Sequence, residues 1–135
     1  NTVSRLNPGG TVIVHDCNPP TEWHTRPYED FQFDRSPWNG TTYKGFIAFK
    51  QTNPELEIET IDTDWGCGII RNPKNVSIQK PMTEAVNAIT WQQFADSRKI
   101  LLNLITPEHF EKKYGPQPKK VGLLRGLFTK LVGSK

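Results

Sequence analysis

This chain has no uninterrupted stretch of about 18 apolar residues, which rules out a single helix crossing a bilayer. Its start shows no charged segment followed by an apolar one, so no secretory signal is expected and a cytoplasmic location is. Cysteine is scarce. Cys17 and Cys67 are the two in 135 residues, and no C-x-x-C pair exists, which excludes a disulfide scaffold. No H-x-x-x-H pair and no cluster of acids sets a metal-ligand spacing, so no metal site is expected. No internal repeat is visible.

Acid is missing from the C-terminal end. From Lys112 onward seven basic residues (Lys112, Lys113, Lys119, Lys120, Arg125, Lys130 and Lys135) meet no Asp or Glu, while ten basic residues face fourteen acids before them. A slightly acidic domain with a basic tail argues against nucleic acid as a partner of the domain itself. Proline and glycine are plentiful, at eleven and ten residues, and many fall in one long segment after the first strand. The length suits one modest core. The expected division is a domain over residues 1–115 and a basic amphipathic tail over 116–135.

What is present is organised around residues 8–20. Pro8-Gly9-Gly10 breaks the chain, and Thr11–Val14 follows as a short β-branched run. The run lacks sustained alternation, as expected for a strand covered on both faces of a parallel sheet. It ends in His15, Asp16, Cys17 and Asn18. Open α/β sheets place their ligand chemistry just beyond the carboxyl ends of strands, so this end reads either as a site or as a capped polar loop.

Residues 19–37 carry four prolines and the aromatic residues Trp23, Tyr28, Phe31 and Phe33, with His24 among them. A loop of this length reads as a lid over a site, or its aromatics extend the core. Residues 42–51 show a partial helical stripe that Asn39 or Thr41 can cap and that Asn53-Pro54 stops. Residues 55–64 alternate as a half-exposed strand, and a turn at Asp64-Trp65-Gly66 returns Cys67–Arg71 as its antiparallel partner. Residues 72–80 read as irregular. Thr90 stands three before Gln93, a capping box that opens a helix to about residue 104. Thr106-Pro107 opens a second helix ending at Gly115, and residues 121–132 read as a final amphipathic helix.

Three stretches in this order resemble class I S-adenosylmethionine-dependent methyltransferases. They are the Pro-Gly-Gly turn with its strand ending in an acid, Trp38-Asn39-Gly40-Thr41-Thr42-Tyr43-Lys44-Gly45-Phe46, and Asp62-Thr63-Asp64-Trp65-Gly66-Cys67-Gly68-Ile69-Ile70. The resemblance covers residues 1–114 and points to the subgroup found with glycan and lipopolysaccharide biosynthesis. It implies an α/β fold: a partial Rossmann-like sheet in which the first two strands run parallel and the last slots antiparallel between them, followed by C-terminal helices. That order would make Cys17 and Cys67 neighbours. One departure is large. No G-x-G-x-x-G-like loop follows a strand, so the chain resembles only the second half of such an enzyme, and the cofactor-binding half is absent. S-adenosylmethionine is therefore implied as the cofactor by resemblance alone and is not expected to bind this chain by itself.

On this resemblance the chain is the acceptor-side portion of a methyltransferase for a small polar or sugar-like acceptor, inactive as a fragment. Asp16 is the first catalytic candidate: an acid there can orient the acceptor hydroxyl, act as base or help hold a divalent metal, or it is a loop cap. His15 is the second, having a pKa near neutrality. In a strand the two point to opposite faces, so both face one site only if the strand has already ended. Asn18, His24, Trp38, Lys44 and Trp65 are candidates for lining the acceptor pocket, the tryptophans being equally able to plug it. Cys17 is a nucleophile in principle or a small buried thiol.

A rival reading is a non-catalytic binding or assembly module that keeps the sheet and uses its basic tail on a partner or a membrane surface. In either reading the first strand is expected to show a bare edge, so a homo-oligomer formed by edge pairing or helix exchange is expected.

Overall fold

The computed structural model describes residues 2–7 and 9–116. The expected amphipathic tail lies outside the described residues, apart from Pro116. A 3-10 turn, Val3–Arg5, leads into β1 (Thr11–Val14). A second 3-10 turn (Glu22–Thr25) and helix α1 (Tyr28–Asp34) follow, then α2 (Thr42–Thr52), β2 (Glu57–Ile61) and β3 (Cys67–Arg71). Helices α3 (Thr83–Asn87) and α4 (Trp91–Leu102), the two-residue strand β4 (Leu104–Ile105) and helix α5 (Pro107–Tyr114) complete the order. The fold is α/β, with a mixed four-stranded sheet in the order β1-β3-β2-β4. β3 runs antiparallel to both β1 and β2, which are therefore parallel to each other, and β4 is parallel to β2.

Helix ends follow local chemistry. Thr90 accepts from the Gln93 N–H while Gln93 reaches back to the Thr90 N–H, the expected capping box. Thr106 caps α5, with Pro107 at its first position. α4 ends at Asn103, whose positive φ of 49° turns the chain into β4. The Lys50 ammonium donates to the carbonyls of Ile100 and Leu101, satisfying two groups at that helix end from α2. Burial pushes the Lys50 pKa down.

One face of the sheet carries Val12, Val14, Ile58 and Ile70, and packs on Tyr43, Phe46 and Ile47 of α2 and Phe94 and Leu102 of α4. Tyr43 and Phe94 meet with ring centres 4.5 Å apart. Gly68 lies under this layer. A Cβ there would collide with the Phe46 ring and stand 2.9 Å from Cys17 Sγ. On the opposite face α5 is tied to β2, where Lys113 Nζ and Tyr114 Oη each donate to Glu59 at 2.8 Å. Burial opposes ionisation of Glu59, but these two hydrogen bonds hold its pKa below the usual carboxylate range.

Three expectations need correction. β1 is not covered on both faces: its exposure alternates and Ile13 is 68 % exposed, because α5 lies across β2 and β3 and no described element crosses β1 on that side. The segment over residues 19–37 is not one long loop but contains a 3-10 turn and α1. The helix from Thr90 stops at Leu102, and Leu104 joins the sheet instead.

Because a methyl group at position 68 has no space, Gly68→Ala is expected to cost about 1–3 kcal/mol, the range for overpacking a filled core. Urea denaturation checks this: the midpoint falls while the slope is unchanged.

Candidate functional site

The carboxyl end of β1 is locked to the β2–β3 turn by backbone hydrogen bonds. The Cys17 N–H donates to the Gly66 carbonyl at 3.0 Å and the Asn18 N–H to the Trp65 carbonyl at 2.7 Å. Gly66, at φ 90°, has no Cβ to block that approach: one would lie 2.5 Å from the Asn18 nitrogen. Three non-glycine residues here also adopt positive φ, Asp16 at 65°, Asp64 at 43° and Trp65 at 60°. Such backbone is costly for residues with a Cβ and concentrates where the surrounding structure holds side chains in a set direction.

The αL turn at Asp16 ends the strand and brings His15 and Asp16 together. His15 Nδ1 lies 3.1 Å from Asp16 Oδ1, and His15 Nε2 lies 3.1 Å from Asp64 Oδ2. A neutral imidazole has one N–H, so donating to both carboxylates requires the imidazolium. The hydrogen bond that His15 donates to Asp64 is the largest cause of its raised pKa, with desolvation opposing and the hydrogen bond to Asp16 adding to it. With both nitrogens engaged, His15 acts as a bridge between β1 and the hairpin turn and has no lone pair free for base chemistry in this arrangement.

Asp16 faces an open cleft of about 600 Å³, lined by Thr25, Arg26, Pro27, Tyr28, Trp38 and the start of α2. Its Oδ1 also accepts from Asn39 Nδ2 at 2.9 Å. Asn39 is 3 % exposed, and its own Oδ1 receives no hydrogen bond. The cleft wall is held by Arg26, whose guanidinium donates to the carbonyls of Trp23, Pro37 and Ser36 and to the Ser36 hydroxyl. Arg26 lies 4.5 Å from the Trp23 ring centre. Its carbonyl accepts from Trp38 Nε1 at 2.8 Å. Tyr28, Phe31 and Trp38 form an aromatic cluster of their own, with Phe31 and Trp38 stacked at 5.0 Å.

The sequence-derived candidates separate on this geometry. Asp16 and Trp38 line the cleft. His24 and Trp65 meet edge to face at 5.8 Å, and the His24 carbonyl accepts from the N–H groups of Asn39 and Gly40. Asn18 spends both ends of its amide on the protein, donating to Asp62 and accepting from Arg98. Lys44 sits on α2 and is not among the residues lining the cleft. Cys17 is fully buried, and burial pushes its thiol up to about 12, which removes it as a nucleophile at neutral pH. Cys17 and Cys67 lie at the same end of the sheet as free thiols. No group of three or more His, Cys, Asp or Glu side chains suited to a metal ion occurs among the described residues. Asn39, Asp64, Tyr28 and Arg26 join the site with no sequence signal that marks them as site residues; the sequence marks Asn39 as a helix-cap candidate and Tyr28 as one aromatic of the segment over residues 19–37.

Comparison of the chain with protein-family models, with curated proteins and with solved structures finds no match.

A raised folded-state pKa means that the His15 bridge stabilises the fold fully below pH 6.5, its ordinary value, and that this contribution is lost as pH rises through the raised value. The His15 ring-proton resonance is expected to titrate above pH 6.5, and Asp64→Asn is expected to lower that midpoint. An unchanged midpoint in the variant would mean that the bridge does not form in solution.

Proposed function

We propose that this chain is the acceptor-side part of an S-adenosylmethionine-dependent methyltransferase, with the cleft beside Asp16 seating a small polar acceptor. The observation that carries the reading is the placement of Asp16. It closes β1 at the carboxyl end of the sheet, at the cleft mouth, with both of its contacts on Oδ1. Oδ2 is then the oxygen available to an acceptor hydroxyl, which it orients and whose proton it takes as the oxygen is alkylated. The strand order adds support: parallel β1 and β2 with β3 reversed between them is the arrangement that the resemblance to the second half of a Rossmann-like methyltransferase sheet implies.

S-adenosylmethionine, when bound, supplies an electrophilic methyl group. The resemblance does not extend to the half that would hold it: among the described residues no strand runs into a glycine-rich loop of the kind whose N–H groups hold such a carboxylate. The work of these residues is positioning. Asn39 and His15 hold one carboxylate oxygen, and the β2–β3 turn holds His15. Fixing a reacting group in this way supplies much of the rate in a displacement whose reactive centre is carried by a cofactor.

The test uses the polypeptide as its gene encodes it, supplied with labelled S-adenosylmethionine and hydroxylated acceptors. Asp16→Asn keeps the αL turn, which asparagine adopts readily, and removes the base. Methyl transfer is expected to fall by about 10²-fold or more. Equal rates in the two proteins would show that Asp16 is not the base.

A second reading, the non-catalytic assembly module, draws on one observation: β1 is an edge strand whose outward face leaves Ile13 68 % exposed. An edge with free peptide groups and an apolar residue favours pairing with a second copy of the chain. Light scattering is expected to show a dimer that Ile13→Lys returns to monomer. A monomer at every concentration removes this reading.

A further inference from the structure

We propose that the apolar trough between β1 and α5 is the seat of this chain's own residues 121–132, which dock there as an amphipathic helix. The trough shares no lining residue with the cleft beside Asp16, so the inference does not rest on the methyl-transfer reading. It sets a segment of the same chain where the assembly reading sets a second copy.

The trough follows from strand parity. Thr11 pairs with Arg71 and Ile13 with Ile69, and all four lie on the sheet face opposite the helical layer. α5 covers the β3 part of that face. The Arg71 guanidinium lies 4.9 Å from the Tyr114 ring centre, and Tyr114 meets Phe110 at 5.2 Å. Beside β1 an open space of about 550 Å³ is left, with Ile13 and Ile69 on the sheet side and Phe110, Tyr114 and Gly115 on the α5 side. Its two cations are engaged, Lys113 Nζ 2.8 Å from Glu59 and Arg71 3.7 Å from Glu57. The surface left uncovered is therefore mainly apolar, and Ile13 is its most exposed part.

The occupant is identified by reach, pattern and charge. Gly115 lines the trough, so the chain beyond the described residues sets out from its wall. Residues 116–120, Pro-Gln-Pro-Lys-Lys, span up to about 17 Å when extended, enough to turn back over β1. A helix over 121–132 is about 18 Å long and β1 about 13 Å, so the one covers the other end to end. The sequence places Leu123, Leu124, Leu127, Phe128, Leu131 and Val132 within one half of such a helix, and Arg125, Thr129 and Lys130 on the other. So short a helix, with Gly122 and Gly126 in it, is marginal in water and gains its stability from an apolar surface to pack on. Five of the 17 basic residues and none of the 14 acids lie after Pro116, which leaves twelve basic residues against fourteen acids before it. Segment and domain therefore attract each other. A short tether also holds the segment at an effective concentration on the order of millimolar, which favours it over a second copy in dilute solution.

NMR on the full chain, with isoleucine and leucine methyl groups and phenylalanine rings labelled, tests this. Nuclear Overhauser contacts are expected from the Ile13 δ1 methyl to Leu124, Leu127 or Phe128. The double variant Leu127→Asp/Phe128→Asp, which alters no described residue, is expected to abolish them and to shift the Ile13 and Phe110 resonances. The Ile47 methyl, buried on the other face, is expected to hold its place and so to verify the fold. No contact between Ile13 and residues 121–132 in the parent chain, or an Ile13 resonance that the variant leaves unmoved, would overturn the proposal. Contacts that pass between molecules in a mixture of labelled and unlabelled chain would also overturn it, by putting a second copy in the trough, and would favour the assembly reading.

Discussion

The hydrogen bonds from the Cys17 and Asn18 N–H groups to the carbonyls of Gly66 and Trp65 are the contacts on which the rest of this structure depends. They extend the β1–β3 pairing past the last strand residue and press the β2–β3 turn against the end of β1. Everything placed at the carboxyl end of the sheet follows from that closure. Asp64 comes within reach of His15, and Asp62 within reach of Asn18. Cys17 is carried beneath Gly68, where Phe46 closes the core over both. The closure requires Gly66, since a side chain there would occupy the space of the Asn18 backbone.

Polar satisfaction is uneven around the cleft. Arg26 is buried, and its guanidinium is matched to the carbonyls of the loop it holds, so it reads as a structural clamp. Asn18 is likewise consumed by Asp62 and Arg98. Asp16 and Asn39 are satisfied on one side only. Buried polar groups are paired with few exceptions, and Asn39 Oδ1 is one of those among the described residues. The strained backbone at Asp16, Asp64 and Trp65 falls in the same place, so two independent departures from ordinary packing coincide at one end of the sheet.

The two faces of the sheet differ for a reason visible in β1. Val12 and Val14 meet the helical layer, whereas Thr11 and Ile13 lie on the side where α5 reaches across β2 and β3 through Glu59 and Arg71. Four residues of β-branched side chains carry no polar alternation, so the run itself holds no sign of which face is covered. Exposure of Ile13 depends on where α5 lies, and that is fixed by Lys113 and Tyr114 meeting a glutamate more than fifty positions earlier.

Local chemistry was legible in the sequence. The β-branched run of β1, the alternation of β2, the Thr90–Gln93 capping box and Pro107 at the start of α5 are signals contained within one or two turns of chain, and each element formed where they stand. The resemblance also implied β3 reversed between β1 and β2, which the pairing shows. Asp16 was legible as a candidate because it ends a strand. Its partners were not: Asn39 stands 23 positions away, Asp64 is brought in by a hairpin, and His15 joins Asp16 only because an αL residue breaks the alternation of strand faces. The two-residue β4 and the short α1 lack any period long enough to read. Sequence by itself determined the longer helices and strands, since propensity and capping act over a few residues. Tertiary structure decided which side chains share the cleft, because hydrogen bonds across distant segments depend on register and on turn angles that no local pattern encodes.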